Sequence, residues 1–373
     1  MSEGAPEGVG VGVKPEGVGA SLAGKTGNGE TGKPGKVEKT VYGHFLQSEA
    51  WEKYEQAEGH RTLRAEGEGF RALVVVHETA LGKYLFCPYG PELWRVEGHD
   101  LQWSLEQALN SLSKLAEQEK AIFVRVEPTV ALAELFPGTE GSETGFEKEM
   151  KKLGLVKSHD LDPAHTWVLD LTSGQESLLG GMEKRKVRYW RNAAKRGFTM
   201  RQTQDPEEIG LLTGLLAKLG ERDHFNPQDE QHLKRQLEAG FATMYVLEVS
   251  SDDLENTGAS KVIAAALIYD YDGVRYYAHA AADEEYMRQA PGSIVLIQMI
   301  LDAAAAGMWE YDFWGMTTSE DPKHPWYGFT QYKKSFGGRQ VDYAGTWDLP
   351  VARRKYQLYQ GLRSVNRVMR KKR

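Results

Sequence analysis

The chain has 373 residues, 40% hydrophobic and 27% charged, so it can bury a sizeable core and is long enough for two domains. A single cysteine, Cys87, excludes a disulfide framework or a thiolate metal site, and none of the ten histidines stands in a metal-ligand spacing. The net charge of -7 argues against nucleic-acid binding through bulk charge. Neither an export signal nor a membrane-spanning apolar run is apparent, so we expect a cytoplasmic protein.

Residues 1–40 are predicted to be a disordered, glycine-rich leader. They contain eleven glycines, three prolines and no aromatic residue, and so cannot bury enough apolar area to offset their ordering entropy. Residues 19–26 fit the phosphate-loop pattern by chance, because that loop functions only between a buried strand and a helix, and neither is predicted here.

Elements of the first half follow from hydrophobic periodicity and helix caps. Ser48 is a predicted N-cap. The predicted helices are 49–56, 101–118 and 146–153, and the predicted strands are 71–76, 83–87 and 121–127.

The second half shows clearer periodicity, and the dipeptide Asp272-Gly273 is a hairpin signal. Predicted helices cover 175–196, 206–219, 229–239, 291–306, 328–336 and 352 onward. Predicted strands cover 166–171, 243–249, 262–269, 274–279, 309–313 and 340–347.

This order of elements is typical of an N-acetyltransferase-like domain, and the first half shows a similar order. We therefore predict an α+β fold of two tandem N-acetyltransferase (GNAT)-like domains. The first domain would cover 41–160 and be completed by the C-terminal helix in 346–373, and the second would cover 161–345. No inserted coiled-coil arm is predicted, because no extended heptad segment occurs.

The most specific stretch joins three motifs in order: Tyr311-Asp-Phe-Trp-Gly315, then 328–338 ending in Phe-Gly-Gly, then Tyr343-Ala-Gly-Thr-Trp-Asp-Leu349. With matches at 45–51, 88–91, 166–171 and 182–197, this pattern resembles the Fem family over about residues 42 to 360. Members of that family are peptidyltransferases that add amino acids from aminoacyl-tRNA to peptidoglycan precursors.

The resemblance assigns Tyr332 and Lys333 to the pair that meets the acceptor end of the tRNA. A lysine ammonium can hold a phosphate or stabilise the oxyanion formed during acyl transfer, so Lys333 is the catalytic candidate. The ring of Tyr332 could stack on the terminal adenine. Lys334 serves as a control, because the adjacent position points about a third of a turn away.

The acceptor implied by the resemblance is a muramyl pentapeptide linked to uridine diphosphate or to a lipid diphosphate. Arg222 matches an arginine that faces this head group, and Glu127 an acidic residue before proline. Tyr277 matches a substrate-contacting tyrosine. Lys53 lies near the family's lysine, although the expected position holds Glu55.

Two segments concentrate positive charge without any acid: 184–201 with eight cations and 351–373 with nine. Arg188 and Arg191 in the first segment are candidate tRNA contacts. In the second, an apolar helix side is expected to pack on the first domain; it comprises Tyr356, Tyr359, Leu362, Val365 and Met369. The basic end leaves a peripheral contact with anionic lipid or with RNA open.

The predicted function is an aminoacyltransferase that moves an amino acid from aminoacyl-tRNA to the stem-peptide amine of a muramyl pentapeptide. No cofactor besides the aminoacyl-tRNA co-substrate is expected, and no metal. One alternative is an acyl-CoA-dependent N-acyltransferase, although the turn 288–292 has few glycines for a pyrophosphate cradle. Another is a non-catalytic tRNA- or membrane-binding protein on the same fold.

Overall fold

The computed structural model describes residues 41–138, 143–223, 226–250 and 260–371. The predicted leader and the phosphate-loop-like segment lie outside the described residues. The described residues belong to one structural unit, 37–373, and build two β-sheets flanked by helices. The predicted α+β class is confirmed. None of the described helices is both long and apolar enough to cross a bilayer.

The first sheet is assembled mainly from the first half of the chain. Its strand order is β1 (Val41–Tyr42), β5 (Glu92–Trp94), β3 (Phe70–Thr79), β4 (Gly82–Cys87), β6 (Phe123–Val126), β15 (Trp347–Pro350) and β7 (Val156–Lys157), with β2 (Thr62–Gly67) pairing β3. Four described α-helices precede β7 in the chain: α1 (Glu49–Ala57), α2 (Leu101–Gln118), α3 (Leu132–Leu135) and α4 (Glu143–Lys152).

Helix α2 (Leu101–Gln118) covers one face of this sheet and has the predicted bounds. Asp100 caps it by accepting a hydrogen bond from the Trp103 amide, which satisfies one free donor of the first turn. Its apolar stripe, with Leu105 and Leu112 fully buried, packs against the inward side chains of β4 and β6.

The second sheet has the strand order β14 (Arg339–Asp342), β8 (His165–Asp170), β13 (Glu310–Gly315), β12 (Val274–Ala282), β11 (Ser260–Tyr271), β10 (Ala242–Ser250) and β9 (Phe198–Thr203). Strands β9 to β12 are antiparallel, and β13 is parallel to β12 after the crossover helix α9 (Pro291–Ala305). This is the predicted N-acetyltransferase-like order. Among the described residues, β9 is connected to β10 by the 3-10 helix Pro206–Glu208 and by the helices α7 (Gly210–Asp223) and α8 (Glu230–Glu238).

The predicted helix 175–196 is wrong as a continuous element. It consists of α5 (Gln175–Gly181), α6 (Lys184–Arg191) and a 3-10 turn, Ala194–Arg196. The break follows Gly180-Gly181, the residues with the poorest helix propensity in the segment, and Met182 is extended.

The predicted strand 340–347 is also wrong, because it is two strands in two sheets. Strand β14 pairs β8 in the second sheet, whereas β15 pairs β6 and β7 in the first. Gly345 allows the turn between them, since its φ of 69° lies in the left-handed region that favours glycine. The chain thus returns to the first sheet after Thr346. The domain boundaries predicted from the sequence, at 41–160 and 161–345, stay a prediction.

The closing helix α11 (Arg353–Lys371) covers the other face of the first sheet. Tyr356 and Tyr359 pack on Phe123, as expected for the apolar side. Leu362, predicted to pack with them, is instead 53% exposed, because helix positions 356 and 362 face different directions. The side chains of Val365 and Met369 lie outside the described part.

Candidate active site

A cavity of about 860 Å³ opens between the elements of the two sheets. Its walls come from α1, β3 and β4 on one side and from α7, α8, β12, β13 and α10 (Tyr327–Lys334) on the other. Trp51, His77, Tyr277, Phe313 and Lys333 are among the lining residues. A volume of this size is typical of a small-molecule or peptide site.

The end of β13 is bulged, and the bulge positions two carbonyl oxygens. The register against β8 shifts between Asp312 and Gly315, and Trp314 adopts a φ of 63°, which is rare for a residue with a side chain. The carboxylate of Asp312 stabilises this backbone by accepting hydrogen bonds from the Trp314 amide, at 2.6 Å, and from the Thr166 hydroxyl. The Asp-Phe-Trp-Gly sequence therefore forms a rigid shelf at the cavity.

Lys333 is held by that shelf. It is only 1% exposed, and its ammonium donates to the carbonyls of Trp314, at 3.2 Å, and Gly315. Two of its three ammonium hydrogens are used in this way within the described chain, which leaves a third for a ligand in the cavity. The Nζ atom also lies 3.9 Å from the ring centroid of Phe329.

Burial lowers the pKa of Lys333 from 10.5 to about 7, although the nearby Asp312 carboxylate acts in the opposite direction. The side chain therefore changes charge near neutral pH. An anion that enters the cavity would favour its protonated form. Lys333 can thus serve as a cation for developing negative charge, which suits acyl transfer.

Close packing keeps this region narrow. A Cβ added at Gly315 would lie 2.5 Å from the Pro163 side chain, so only glycine fits. Pro163 and the preceding Asp162 line the large cavity and also a neighbouring one of about 460 Å³. Asp162 therefore borders both cavities.

Glu127 is buried, at 3% exposure, and is fixed by donors around it. Its carboxylate accepts hydrogen bonds from the Thr346 hydroxyl and from the amides of Tyr89, at 3.5 Å, and Asp162, at 3.4 Å. Burial and the neighbouring Glu127 raise the pKa of Asp162 to about 8. At neutral pH the Asp162 carboxyl is therefore mostly protonated.

Tyr332 lies away from the cavity that Lys333 lines. Its hydroxyl accepts from Ser293 at 3.5 Å, its ring packs edge-on against Phe336, and the ammonium of Lys186 lies 4.5 Å from its ring centroid. It is half-buried between α6, α9 and α10. The adenine-stacking role predicted for it stays a prediction. Lys334 points away, as predicted, over Trp167.

The exposed rings beside Lys333 belong to Trp326 and Phe329, at 45% and 48% exposure. Positions 326, 329 and 333 share one helix face, so these three side chains line the same cavity. Sequence reasoning missed both aromatics. The signal was their spacing of four and seven residues from the lysine, which became interpretable only when α10 was known to expose that face.

Of the residues predicted to contact the acceptor, Tyr277 lines the large cavity. Arg222 does not; it borders a separate pocket of about 260 Å³ with Lys218, Lys261 and Asp283. Lys53 is exposed and lines none of these cavities. Trp51 and Glu55 take that helix face, so position 53, about 200° around the helix, points elsewhere.

Four histidines line the large cavity: His60, His77, His232 and His279. Their neighbours differ, since His60 pairs with Glu55 at 2.5 Å while His232 lies 2.7 Å from the Tyr54 hydroxyl. Burial lowers the pKa of His279 to about 4, so this imidazole is neutral at physiological pH. Among the described residues, no group of three or more His, Cys, Asp or Glu could hold a metal ion.

Arg188 and Arg191 lie exposed on α6, a helix that contacts the Lys333-bearing helix α10. Lys186 of α6 makes this contact. Its ammonium donates a hydrogen bond to the Ser335 hydroxyl and lies over the rings of Tyr332 and Phe336 near the end of α10. The exposed cations of α6 therefore lie on a helix that contacts the end of α10. Cys87 is fully buried, and burial raises the pKa of its thiol well above the usual value, which fits a core residue.

Comparison with known proteins agrees with this fold. The crystal structure of FemX superimposes with a TM-score of 0.73 at 19% identity, covering 86% of this chain and 95% of that one. A Staphylococcus aureus (strain USA300) protein named lipid II:glycine glycyltransferase is 22% identical over 330 residues, covering 70% of this chain and 77% of the relative. The FemAB family model matches residues 37–251 and 247–364, so the chain belongs to the FemAB family.

Proposed function

We propose that this protein is an aminoacyltransferase that moves an amino acid from aminoacyl-tRNA to an amine of the stem peptide in a muramyl-pentapeptide precursor. Membership of the FemAB family supports the proposal, as does the glycyltransferase relative that acts on lipid II. Because charged tRNA is the donor, the proposal includes a cytoplasmic site of action, with no cofactor beyond the donor itself.

The observation that carries the proposal is the buried Lys333 on its shelf of two carbonyls, facing a cavity large enough for a peptide. Keeping a cation in a buried position is costly, so such a lysine is a candidate functional group. Its fixed ammonium is pre-organised for a charge that develops only during the reaction.

The reaction balances without an oxidant or a metal. The acceptor nitrogen attacks the ester carbonyl carbon, and the carbonyl oxygen becomes an oxyanion that the Lys333 ammonium stabilises. The C–N bond forms, the C–O bond to the terminal ribose breaks, and the tRNA hydroxyl leaves. The proton lost by the amine is transferred to the ribose oxygen. Asp162, which lines the cavity and whose carboxyl pKa is raised to about 8, could carry it.

The donor end would lie against α10 and α6. Bases of single-stranded RNA stack on aromatic rings, and each contact contributes about 1–3 kcal/mol. Trp326 and Phe329 offer exposed rings for the terminal base, and we add them to Tyr332 as candidate stacking residues. The exposed Arg188 and Arg191 would bind phosphates farther along the acceptor stem.

The acceptor would enter the large cavity, which Tyr277 and Asp162 line, and Glu127 would act from behind this wall, where it accepts a hydrogen bond from the Asp162 amide. Arg222, beside Lys218 and Lys261 in its separate pocket, remains a proposed contact for the diphosphate of the precursor. Lys53 is exposed and lines none of these cavities, and its contact with the acceptor stays a prediction.

The test is radiolabel transfer from charged tRNAs to uridine-diphosphate-linked and lipid-linked muramyl pentapeptides. We expect Lys333→Ala to lower the transfer rate by about 10²–10³-fold, the usual effect of losing an oxyanion donor. Lys334→Ala is the matched control and should leave it unchanged. Phe329→Ala should raise the KM for the tRNA, whereas Tyr332→Phe, which keeps the ring, should not.

Other outcomes would contradict the proposal. Equal loss of transfer in Lys333→Ala and Lys334→Ala would refute the site while leaving the reaction. No transfer from any donor, combined with heat released on coenzyme A titration, would indicate an acyl-CoA-dependent enzyme. Normal tRNA binding without transfer to either precursor would indicate a binding protein.

A further inference from the structure

The outer face of α11 exposes two leucines beside the first sheet. Leu358 and Leu362 are 62% and 53% exposed, the two highest values among the exposed large hydrophobic side chains of the described residues. Since they are four positions apart, they lie on the same side of the helix. Val156, 41% exposed, stands opposite Asp348 in the strand pairing and so lies on the sheet face that α11 covers.

The inner face fixes this orientation. The Tyr356 hydroxyl donates to the buried Asp348 carboxylate at 3.0 Å, and that carboxylate also receives the guanidinium of Arg125. At the next turns the Tyr359 ring packs on Phe123. A helix anchored in this way cannot rotate to bury its leucines without breaking a buried network.

Cations border the leucines. Arg353, Arg354 and Lys355 are exposed and form no ion pair within the described parts of the chain. Arg354 is one turn before Leu358, so it adjoins the apolar stripe. The sequence from 351 to 373 holds nine Lys or Arg residues and no acid. The described part of this surface is thus both apolar and positive.

We propose that the outer face of α11 docks on an anionic lipid bilayer, with Leu358 and Leu362 at the boundary between head groups and acyl chains and the cations on lipid phosphates. An amphipathic helix with leucine on one side and Lys or Arg around it is the usual form of such contacts. RNA fits less well, because its phosphates do not bind leucine. A second copy of the chain fits less well, because two faces with the same charge repel each other.

Docking extends the proposed function, since it would bring the cavity to a lipid-linked acceptor, but vesicle binding does not require transfer. The hydrophobic contribution is about tenfold in partitioning for each leucine that becomes buried. Each cation near an anionic surface contributes about fivefold, and this part weakens as salt screens it.

The experiment is co-sedimentation of the full chain with phosphatidylcholine vesicles, with and without phosphatidylglycerol. We expect binding only to the anionic vesicles, reduced about 100-fold by Leu358→Ser with Leu362→Ser and about 25-fold by Arg354→Gln with Lys355→Gln. Met287→Ser, at a residue 51% exposed outside α11, is the control and should bind like the wild type.

Equal binding by the leucine variant and the wild type would overturn the proposal, as would absence of binding to anionic vesicles. The proposal would also be overturned if the wild type were a dimer, the leucine variant were a monomer, and neither bound lipid. Loss of tRNA binding in the arginine and lysine variant, with vesicle binding intact, would indicate an RNA surface instead. The leucine variant should retain transfer to the soluble acceptor, so failure of docking and failure of the proposed reaction are distinguishable.

Discussion

Replacing Lys333 with methionine should stabilise the protein at neutral pH while it removes transfer. The pKa of Lys333 falls from 10.5 to about 7 on burial, and each unit corresponds to about 1.36 kcal/mol, so the protonated side chain costs about 4–5 kcal/mol. Methionine keeps an apolar stem beside Phe329 but leaves the carbonyls of Trp314 and Gly315 without their donor, which costs about 1–3 kcal/mol. We therefore expect a net gain of about 2–3 kcal/mol at and below pH 7.

The gain should depend on pH with a defined sign. Between pH 7 and 10.5 the unfolded chain binds a proton at this lysine and the folded protein does not, so wild-type stability rises with pH across that window. The advantage of Lys333→Met therefore shrinks by about 1.36 kcal/mol per pH unit above 7 and vanishes near about pH 9.

The assay is urea unfolding followed by tryptophan fluorescence at several pH values between about 6 and about 9.5. Lys334→Met, at the exposed neighbouring position, is the control and should show a difference from wild type that does not vary with pH. A pH-independent difference for Lys333→Met would refute the reasoning, because it would mean that this lysine titrates near its usual value in the folded protein.

Two further predictions concern buried charges. Arg125→Met should destabilise the fold by about 3–5 kcal/mol in urea unfolding, because it leaves the fully buried Asp348 carboxylate without its cation. The second change Asp348→Leu should recover much of this loss. No recovery would show that the hydrogen bond from Tyr356 to Asp348 matters more than the ion pair. Because the pKa of Asp162 is raised to about 8, the stability that it contributes is present below about pH 4 and is lost as pH rises to 8. Asp162→Asn should therefore flatten the pH dependence of unfolding in that range, and an unchanged slope would contradict the raised pKa.

Much of the local structure was predictable because it depends on neighbours in the chain. Helix α2 has its predicted bounds, since Asp100 caps it and leucines recur at helical spacing. The Asp272-Gly273 turn is confirmed, with both φ values positive, because few other residues tolerate that geometry. Gly180-Gly181 is a local signal that the helix breaks. The prediction of one continuous helix over 175–196 gave more weight to the run of basic residues than to these glycines.

By itself, the sequence determined the order of elements, the α+β class and the motif that contains Lys333. It could do so because hydrophobic period, caps and turn residues act over a few positions. Only the tertiary structure decided which sheet receives β15, and that Glu127 and Asp162 meet. It also placed Lys333 in the cavity, Tyr332 against Lys186 and Lys53 in solvent. These outcomes depend on segments distant in sequence, and burial by those segments is what shifts the pKa of Lys333 and leaves Leu358 and Leu362 exposed.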